Sequence, residues 1–361
     1  MLKQILCLSY LPWQAQPNRT QQLLTRLTDA EVLFFEPPVS RGMPQPEQGR
    51  RMRSHITVYT LPAPLLPNLE RPMLQRRNLN RMVDFIRQAM EDHRFREPLL
   101  WCTSPEQVIF LERFPCRGVV YDCHQEWGED FLDLESALAA RAEVIFAASA
   151  GLMDRLSPCS DNIALLPNGV NPTMFFRSDL TPPPALSSLV GKKVFGRVGD
   201  LTSQVELAPM LAAARTRPEW RFLLMGRVTR QAAARVAEYP NIHLSGPVNA
   251  VDLPDYLSVC SVLFDLIQTD LRGCDILPSR IYEYLATGKP IVMMTEPDQV
   301  EPFPDVIYTA YDGAGFLRRC TRALEEAPQL AFDRRRECAQ RSSWAVRAAE
   351  IMRILEDTGL F

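Results

Sequence analysis

The sequence predicts an α/β protein built from two parallel, doubly wound sheets. Three observations carry this expectation. Short apolar runs recur along the chain, several reading as strands buried on both faces. Segments with apolar residues at helical spacing lie between them, so strand and helix alternate as in βαβ units. The alternation stops at a Pro- and Ser-rich stretch, SDLTPPPALSSLVG over 178–191, and then restarts. A chain of 361 residues has room for two domains of ordinary size, each with its own core.

In the first half, apolar runs place strands at 5–9, 32–35, 56–61, 99–102, 119–123, 144–148 and 163–166. Helical spacing places helices at 20–27, 75–93, 106–114, 131–141 and 152–156. Asn18 or Thr20 can cap the first of them. After the break, strands are expected at 194–198, 222–225, 242–244, 262–266, 291–294 and 306–309. Helices fit at 206–215, 231–239, 253–260, 280–287 and 314–326, and a helical stretch over 334–357 closes the chain. The resulting organisation is a first domain over 1–177, a linker over 178–191, a second domain over 192–333 and a terminal helix over 334–361.

Composition excludes several function classes. The hydrophobic fraction of 46% is that of a globular protein, and a net charge of −3 argues against a polyanionic partner such as nucleic acid. No apolar run approaches the roughly 18 residues that span a bilayer. The opening MLKQILCLSYLPW is too short in its apolar part for a signal peptide and reads as a first strand. Nine cysteines without paired spacing suit reduced thiols in a cytoplasmic protein. No CxxC, HExxH or Asp-x-Asp motif occurs, so no metal site is expected.

The densest information lies in DILPSRIYEYLATGKPIVMM, 275–294. Pro278 suits a first helical turn, Gly288 and Pro290 stop the helix, and an apolar strand follows. Glu283 then sits on a short helix with Arg280 one turn earlier on the same face. A carboxylate there can accept hydrogen bonds from two vicinal hydroxyls, as a ribose offers, while the helix start can receive phosphate oxygens. A surface Glu beside a surface Arg explains the same residues. Gly199, in VFGRVGDL, allows close backbone approach to a diphosphate or makes an ordinary turn. In the first half, Asp122, His124 and Glu126 in YDCHQEWGEDF form the one cluster of acid–base groups at a strand terminus. Trp13 could stack on a sugar ring or simply pack. The arginine-rich segments 41–53 and 71–96 fit either an anionic membrane surface or a solvated helix face, the latter better.

The 275–294 segment resembles the nucleotide-sugar signature of GT-B glycosyltransferases, specifically the family-4-like group. In that group two acids separated by seven residues precede a Gly-Lys-Pro exit; here they are Asp275 and Glu283. The likeness is strongest at 279–292, moderate at LLPNGVNPTMF (165–175), and weak in the acceptor loops. It implies two Rossmann-like domains facing across a cleft, with the last helix crossing back to the first domain and Trp344 packing there. It further implies that Glu283 holds the donor ribose, that the Gly199 turn meets the diphosphate, and that Gly226 and Val248 pass the base. Where many members place Arg and Lys after the glycine, this chain has Asp200 and Val205, so Arg280 is the preferred substitute cation, ahead of Arg197 and Arg272. Asp270 and Arg272 lie in the loop expected near the sugar, either as contacts or as solvated charges.

On the acceptor side the resemblance points to Trp13, Asn18 and Arg19, with Asp122, His124 and Glu126 as the acid–base candidates. An inverting enzyme would use Glu126 or His124 as base. Retention, which the resemblance favours, lets the leaving phosphate take the proton, so that His124 only orients substrate. The implied activity is metal-independent transfer of a sugar from a nucleotide-diphosphate donor to a hydroxyl of a glycan or lipid-linked acceptor. No resident cofactor is needed, and the expected location is the cytoplasm, including the cytoplasmic membrane face. Alternatives are a nucleotide-sugar epimerase of the same fold and a catalytically inactive partner protein.

Overall fold

The computed structural model describes residues 3–14, 16–39, 48–64, 72–202, 205–266, 275–295, 300–327 and 329–361. The chain forms two compact units, Met1–Pro167 with Ala345–Phe361, and Asn168–Trp344.

The first unit is an eight-stranded sheet. Its strands are β1 (Lys3–Leu8), β2 (Ala30–Glu36), β3 (Arg50–Arg53), β4 (Ile56–Thr60), β5 (Leu99–Cys102), β6 (Gly118–Cys123), β7 (Val144–Ala147) and β8 (Ile163–Leu165). They lie in the order β3-β4-β2-β1-β5-β6-β7-β8. All neighbours are parallel except β3 and β4. The central strands β5, β6 and β7 are buried along their whole length, which is why they read as unbroken apolar runs. Strand β3, RRMR, has no apolar run to announce it; its exposed arginines suit an edge that must not pair further. The helices α1 (Arg19–Leu24), α2 (Pro72–Asp92), α3 (Leu132–Ala139) and α4 (Ala150–Leu156) alternate with the strands. The helix expected at 106–114 is instead a short 3-10 turn, Pro105–Phe110. Leu111 leaves helical backbone there, and Glu112 takes a φ of 64° that no helix continues.

Winding starts at β1 and runs outward to β2 on one side, then resumes at β5 on the other. The carboxyl ends of β1 and β5 therefore flank a topological switch point, where open α/β sheets leave a crevice. Thr103 ties the two ends: its hydroxyl donates to the Leu8 carbonyl at 3.1 Å and accepts from the Tyr10 amide at 3.1 Å.

The second unit repeats the plan with β9 (Val194–Val198), β10 (Arg221–Met225), β11 (Ile242–Gly246), β12 (Val262–Asp265), β13 (Ile291–Met294) and β14 (Ile307–Ala310). Their order is β11-β10-β9-β12-β13-β14, all parallel, with the switch point between β9 and β12. Alternate residues of each strand feed two apolar layers. One holds Val194, Leu223, Leu263 and Ile291; the other holds Phe195, Phe222, Phe264 and Val292. Helices α5 (Ala208–Thr216), α6 (Arg230–Val236), α7 (Leu253–Ser258), α8 (Ser279–Thr287), α9 (Gly313–Leu324) and α10 (Phe332–Arg341) complete it.

The division falls at Pro167, ahead of the Pro- and Ser-rich stretch expected to be the linker. That stretch belongs to the second unit, with Leu186 and Leu189 buried in its core. The helix expected over 334–357 is two helices, α10 and α11 (Trp344–Asp357). Ser342 and Ser343 break it because their backbone joins a parallel bridge to Val170: the Val170 amide donates to Ser342 and the Trp344 amide donates to Val170. Trp344, expected to pack on the first domain, is buried against Gly169 in the second unit. From Ala345 onward the chain belongs to the first unit, where Glu356 pairs with Lys3 and the Leu360 carbonyl accepts from Arg117. No helix among the described residues is long and apolar enough to cross a membrane.

A buried bidentate pair locks α10 down. Arg335 donates to both oxygens of Glu326 at 2.6 and 2.7 Å and to the Val306 carbonyl at 2.8 Å. Removing one partner of such a pair strands a desolvated charge, at a cost of about 3–5 kcal/mol. Glu326→Ala should therefore lower the chemical-denaturation midpoint substantially. Lys3→Ala, which breaks a solvent-exposed pair, should cost less than about 1 kcal/mol. Equal midpoints for the two variants would contradict this account.

Candidate functional site

The second unit assembles its site at the carboxyl ends of β9, β10 and β12. Two glycines shape the floor. Gly199 follows β9 with φ 117° and donates to the Met225 carbonyl at 2.8 Å. Gly226 follows β10 with φ 156° and donates to the Gly246 carbonyl at 2.9 Å. A Cβ on Gly226 would lie 2.4 Å from the Gly199 carbonyl oxygen, so only glycine lets these turns nest.

Asp265, the last residue of β12, joins three neighbours across the switch point. Its Oδ1 accepts from Arg197 Nε at 3.0 Å and from the Leu266 amide at 3.0 Å. Its Oδ2 accepts from Arg280 Nε at 2.7 Å. Arg197 lies fully buried on β9 and also donates to the Gly199 carbonyl at 3.0 Å. Asp265 was not among the sequence candidates, although a charged residue ending the buried run VLFD is itself a signal, since a desolvated charge must find partners.

Helix α8 carries Arg280 and Glu283. It buries Ile281, Tyr282, Tyr284, Leu285 and Ala286, and ends at Gly288 in the left-handed conformation. The Tyr284 hydroxyl accepts from the Val198 amide at 2.7 Å and pins the helix to the end of β9. Asn168 donates to the Leu277 carbonyl at 3.0 Å and fixes the entry to the helix. Lys289 braces the exit by donating to the Leu257, Ser258 and Cys260 carbonyls at 2.7, 2.7 and 2.5 Å, at the negative end of α7. Glu283 is half-buried and has no hydrogen-bond partner among the described residues. Burial pushes its carboxyl up to about 7, with Arg280 pulling the other way. It is a carboxylate poised to accept.

The two positions where the resemblance expects cations carry none. Val205 is buried in the core. Asp200 accepts from the Arg227 amide at 2.8 Å and from Arg227 Nε at 2.9 Å. Burial raises its carboxyl, but those hydrogen bonds outweigh burial and hold it below the ordinary range. Arg280 is the cation beside Gly199: its Nη1 lies 3.5 Å from where a Cβ on that glycine would be. Arg197 is instead held internally by Asp265. Asp275 is half-buried in the turn before α8, and Val248 packs against the core layer that contains α8. Asp270 and Arg272 lie outside the described residues.

In the first unit, the end of β6 gathers a second polar cluster. Asp122 is fully buried and accepts from Arg19 Nε at 3.0 Å, while Arg19 Nη2 donates to the Leu166 carbonyl at 2.8 Å. His124 Nδ1 faces the Asp122 carbonyl at 2.9 Å, which can only accept, so Nδ1 carries the hydrogen. Burial lowers the imidazole pKa, outweighing the Asp122 charge, and Arg19 adds to the lowering. A neutral ring then leaves Nε2 as an acceptor, 3.3 Å from the Tyr10 hydroxyl. That hydroxyl has one hydrogen, shared between Nε2 and the nearer Gln125 Oε1 at 3.0 Å, and burial, with Asp122 nearby, pushes its pKa up to about 12. Trp127 stands edge-on to Tyr10. Tyr10, Gln125 and Trp127 were missed by the sequence reading because the contacts join residues more than a hundred positions apart.

The remaining first-unit candidates divide. Asn18 caps α1 by accepting from the Gln21 amide at 3.0 Å. Arg19 and Asp122 hold each other inside the unit. Trp13 packs edge-on against Phe34, centroids 5.1 Å apart, and its amide donates to Glu36. Glu126 is half-buried and makes no ion pair or hydrogen bond among the described residues.

No protein-family model matches the chain. It is 22% identical over 282 residues, 70% of each chain, to the putative teichuronic acid biosynthesis glycosyltransferase TuaH of Bacillus subtilis. Among solved structures it is similar to sucrose-phosphate synthase from Thermosynechococcus elongatus, with a TM-score of 0.75, 17% identity and 98% of both chains covered. It is also similar to Anabaena Alr3699/HepE in complex with UDP and glucose, with a TM-score of 0.71, 14% identity, and 98% of this chain and 100% of that one covered. Two parallel sheets, each wound outward from a central switch point, and a full-length likeness to these structures give the chain the fold of the GT-B glycosyltransferases.

Proposed function

We propose that this protein is a glycosyltransferase that moves a sugar from a nucleotide-diphosphate donor to a hydroxyl of a glycan or lipid-linked acceptor. The observation that carries the reading is Glu283: a half-buried carboxylate without a hydrogen-bond partner among the described residues, on a helix whose Arg280 stands beside the Gly199 turn. Glu283 accepts from the ribose hydroxyls, and Arg280, beside the Gly199 turn, receives the diphosphate. Asp275, Gly226 and Val248 line the approach of sugar and base. The teichuronic acid relative supports sugar transfer, and the neighbour solved with UDP and glucose supports the donor class.

The reaction breaks the bond between the anomeric carbon and the phosphate oxygen and forms one to the acceptor oxygen on the same face. The acceptor proton passes to the departing phosphate, and Arg280 offsets the charge that develops there, so no metal ion is required. His124, neutral and held by the Asp122 carbonyl, orients the acceptor hydroxyl with Glu126, while Asp122 and Arg19 keep the loop in place. The protein works in the cytoplasm, at the face where lipid-linked acceptors are presented. A second reading, a partner protein that binds no donor, draws on Asp200 and Val205 at the positions of the family cations.

Calorimetry with UDP, GDP, ADP and TDP separates the two, with binding of at least one expected; silence with all four would sink the transferase. Turnover of the donor without acceptor would indicate an epimerase. Glu283→Ala should remove charge-assisted hydrogen bonds of about 1.5–3 kcal/mol each and lower kcat/KM by roughly tenfold or more. Because the Glu283 carboxyl titrates at about 7, donor kcat/KM should rise with pH through that value as the charged acceptor forms, and Glu283→Gln should flatten that limb. An unaltered pH profile in the Gln variant would remove Glu283 from the ribose role. Arg280→Ala should raise donor KM, and an unchanged KM would move the diphosphate cation elsewhere.

A further inference from the structure

We infer that Asp265 is a positioning residue for the phosphates of the nucleotide: it grips Arg280 through Nε beside the Gly199 turn and leaves the outer nitrogens of that guanidinium for the ligand. This rests on the donor-site reading above and adds to it what aims the cation. Both oxygens of Asp265 are engaged, Oδ2 by Arg280 at 2.7 Å, Oδ1 by Arg197 and the Leu266 amide at 3.0 Å each, so the carboxylate cannot swing. Arg280 Nη1 and Nη2 make no hydrogen bond among the described residues. Held by its inner nitrogen, a planar guanidinium presents its outer pair as a fork, the geometry that matches two phosphate oxygens.

The same carboxylate also steadies the other half of the site. Arg197, 1% exposed, reaches the Gly199 carbonyl at 3.0 Å, so the turn and the cation share one anchor. Asp265 offsets one of the two guanidinium charges, Asp200 is paired with Arg227, and Glu283 is the remaining acid whose charge couples to Arg280. An arginine fixed before the ligand arrives loses less side-chain entropy on binding than one that must be ordered. Without Asp265, Arg280 would sample several rotamers and Arg197 would lose its buried counter-charge.

The test titrates the full chain and its Asp265→Asn and Asp265→Glu variants with two ligands. These are whichever of UDP, GDP, ADP and TDP the wild type binds most tightly, and the parent nucleoside. Asp265→Asn should weaken the diphosphate by about tenfold, the scale of one charge-assisted hydrogen bond, and leave the nucleoside unchanged. Asp265→Glu keeps the charge and should recover part of the loss. Should the Asn variant not fold, the Glu variant decides alone, with a diphosphate loss larger than its nucleoside loss expected. An equal loss for both ligands, or none for either, overturns the inference. A wild type that binds none of the four overturns the donor-site reading itself, and the inference falls with it; the wild-type titration therefore distinguishes the two failures.

Discussion

The second unit depends on one carboxylate placed at the end of a buried strand. Asp265 cannot be desolvated alone, and the chain answers with Arg197 from the neighbouring strand and Arg280 from the following helix. Three elements that start far apart in sequence are thereby fixed at one point, the place where the sheet reverses its winding. The glycine turn, the helix bearing Glu283 and the cation beside the turn all inherit their positions from that arrangement. Packing alone would set α8 only approximately; the Asp265–Arg280 contact and the Tyr284–Val198 hydrogen bond set its rotation.

The first unit reaches a similar solution with different elements. Asp122 ends β6 fully buried, and Arg19 from α1 supplies the counter-charge while also holding the Leu166 carbonyl. The consequence differs, however. In the second unit the outer nitrogens of Arg280 make no hydrogen bond among the described residues, whereas in the first Arg19 turns inward. Beside that pair stands the half-buried polar and aromatic group of Tyr10, His124, Gln125 and Trp127, in which a neutral imidazole donates from Nδ1 and can accept at Nε2.

Much of this was legible in the sequence, for identifiable reasons. Strands buried on both faces leave continuous apolar runs, so both parallel sheets could be read directly. Strand β3 could not, because an edge strand reading RRMR carries no such run. The unit boundary misled for a related reason: Pro and Ser mark irregular backbone, and nothing local distinguishes an exposed linker from a segment that buries Leu186 and Leu189. The break at Ser342–Ser343 depends on a bridge to Val170, which no window of neighbouring residues contains. Glu283, Arg280 and Gly199 could be singled out as candidates because each sits inside a short local pattern. Asp265 escaped because its partners lie 68 positions before it and 15 after it.

Lys289 shows how far formal charge can depart from the field an approaching molecule meets. Its ammonium group is surrounded by the carbonyls of Leu257, Ser258 and Cys260, so its charge offsets the negative pole of α7. Arg197 and Arg335 are likewise consumed by internal carboxylates. A molecule approaching these three side chains therefore meets much less positive field than their formal charges would imply.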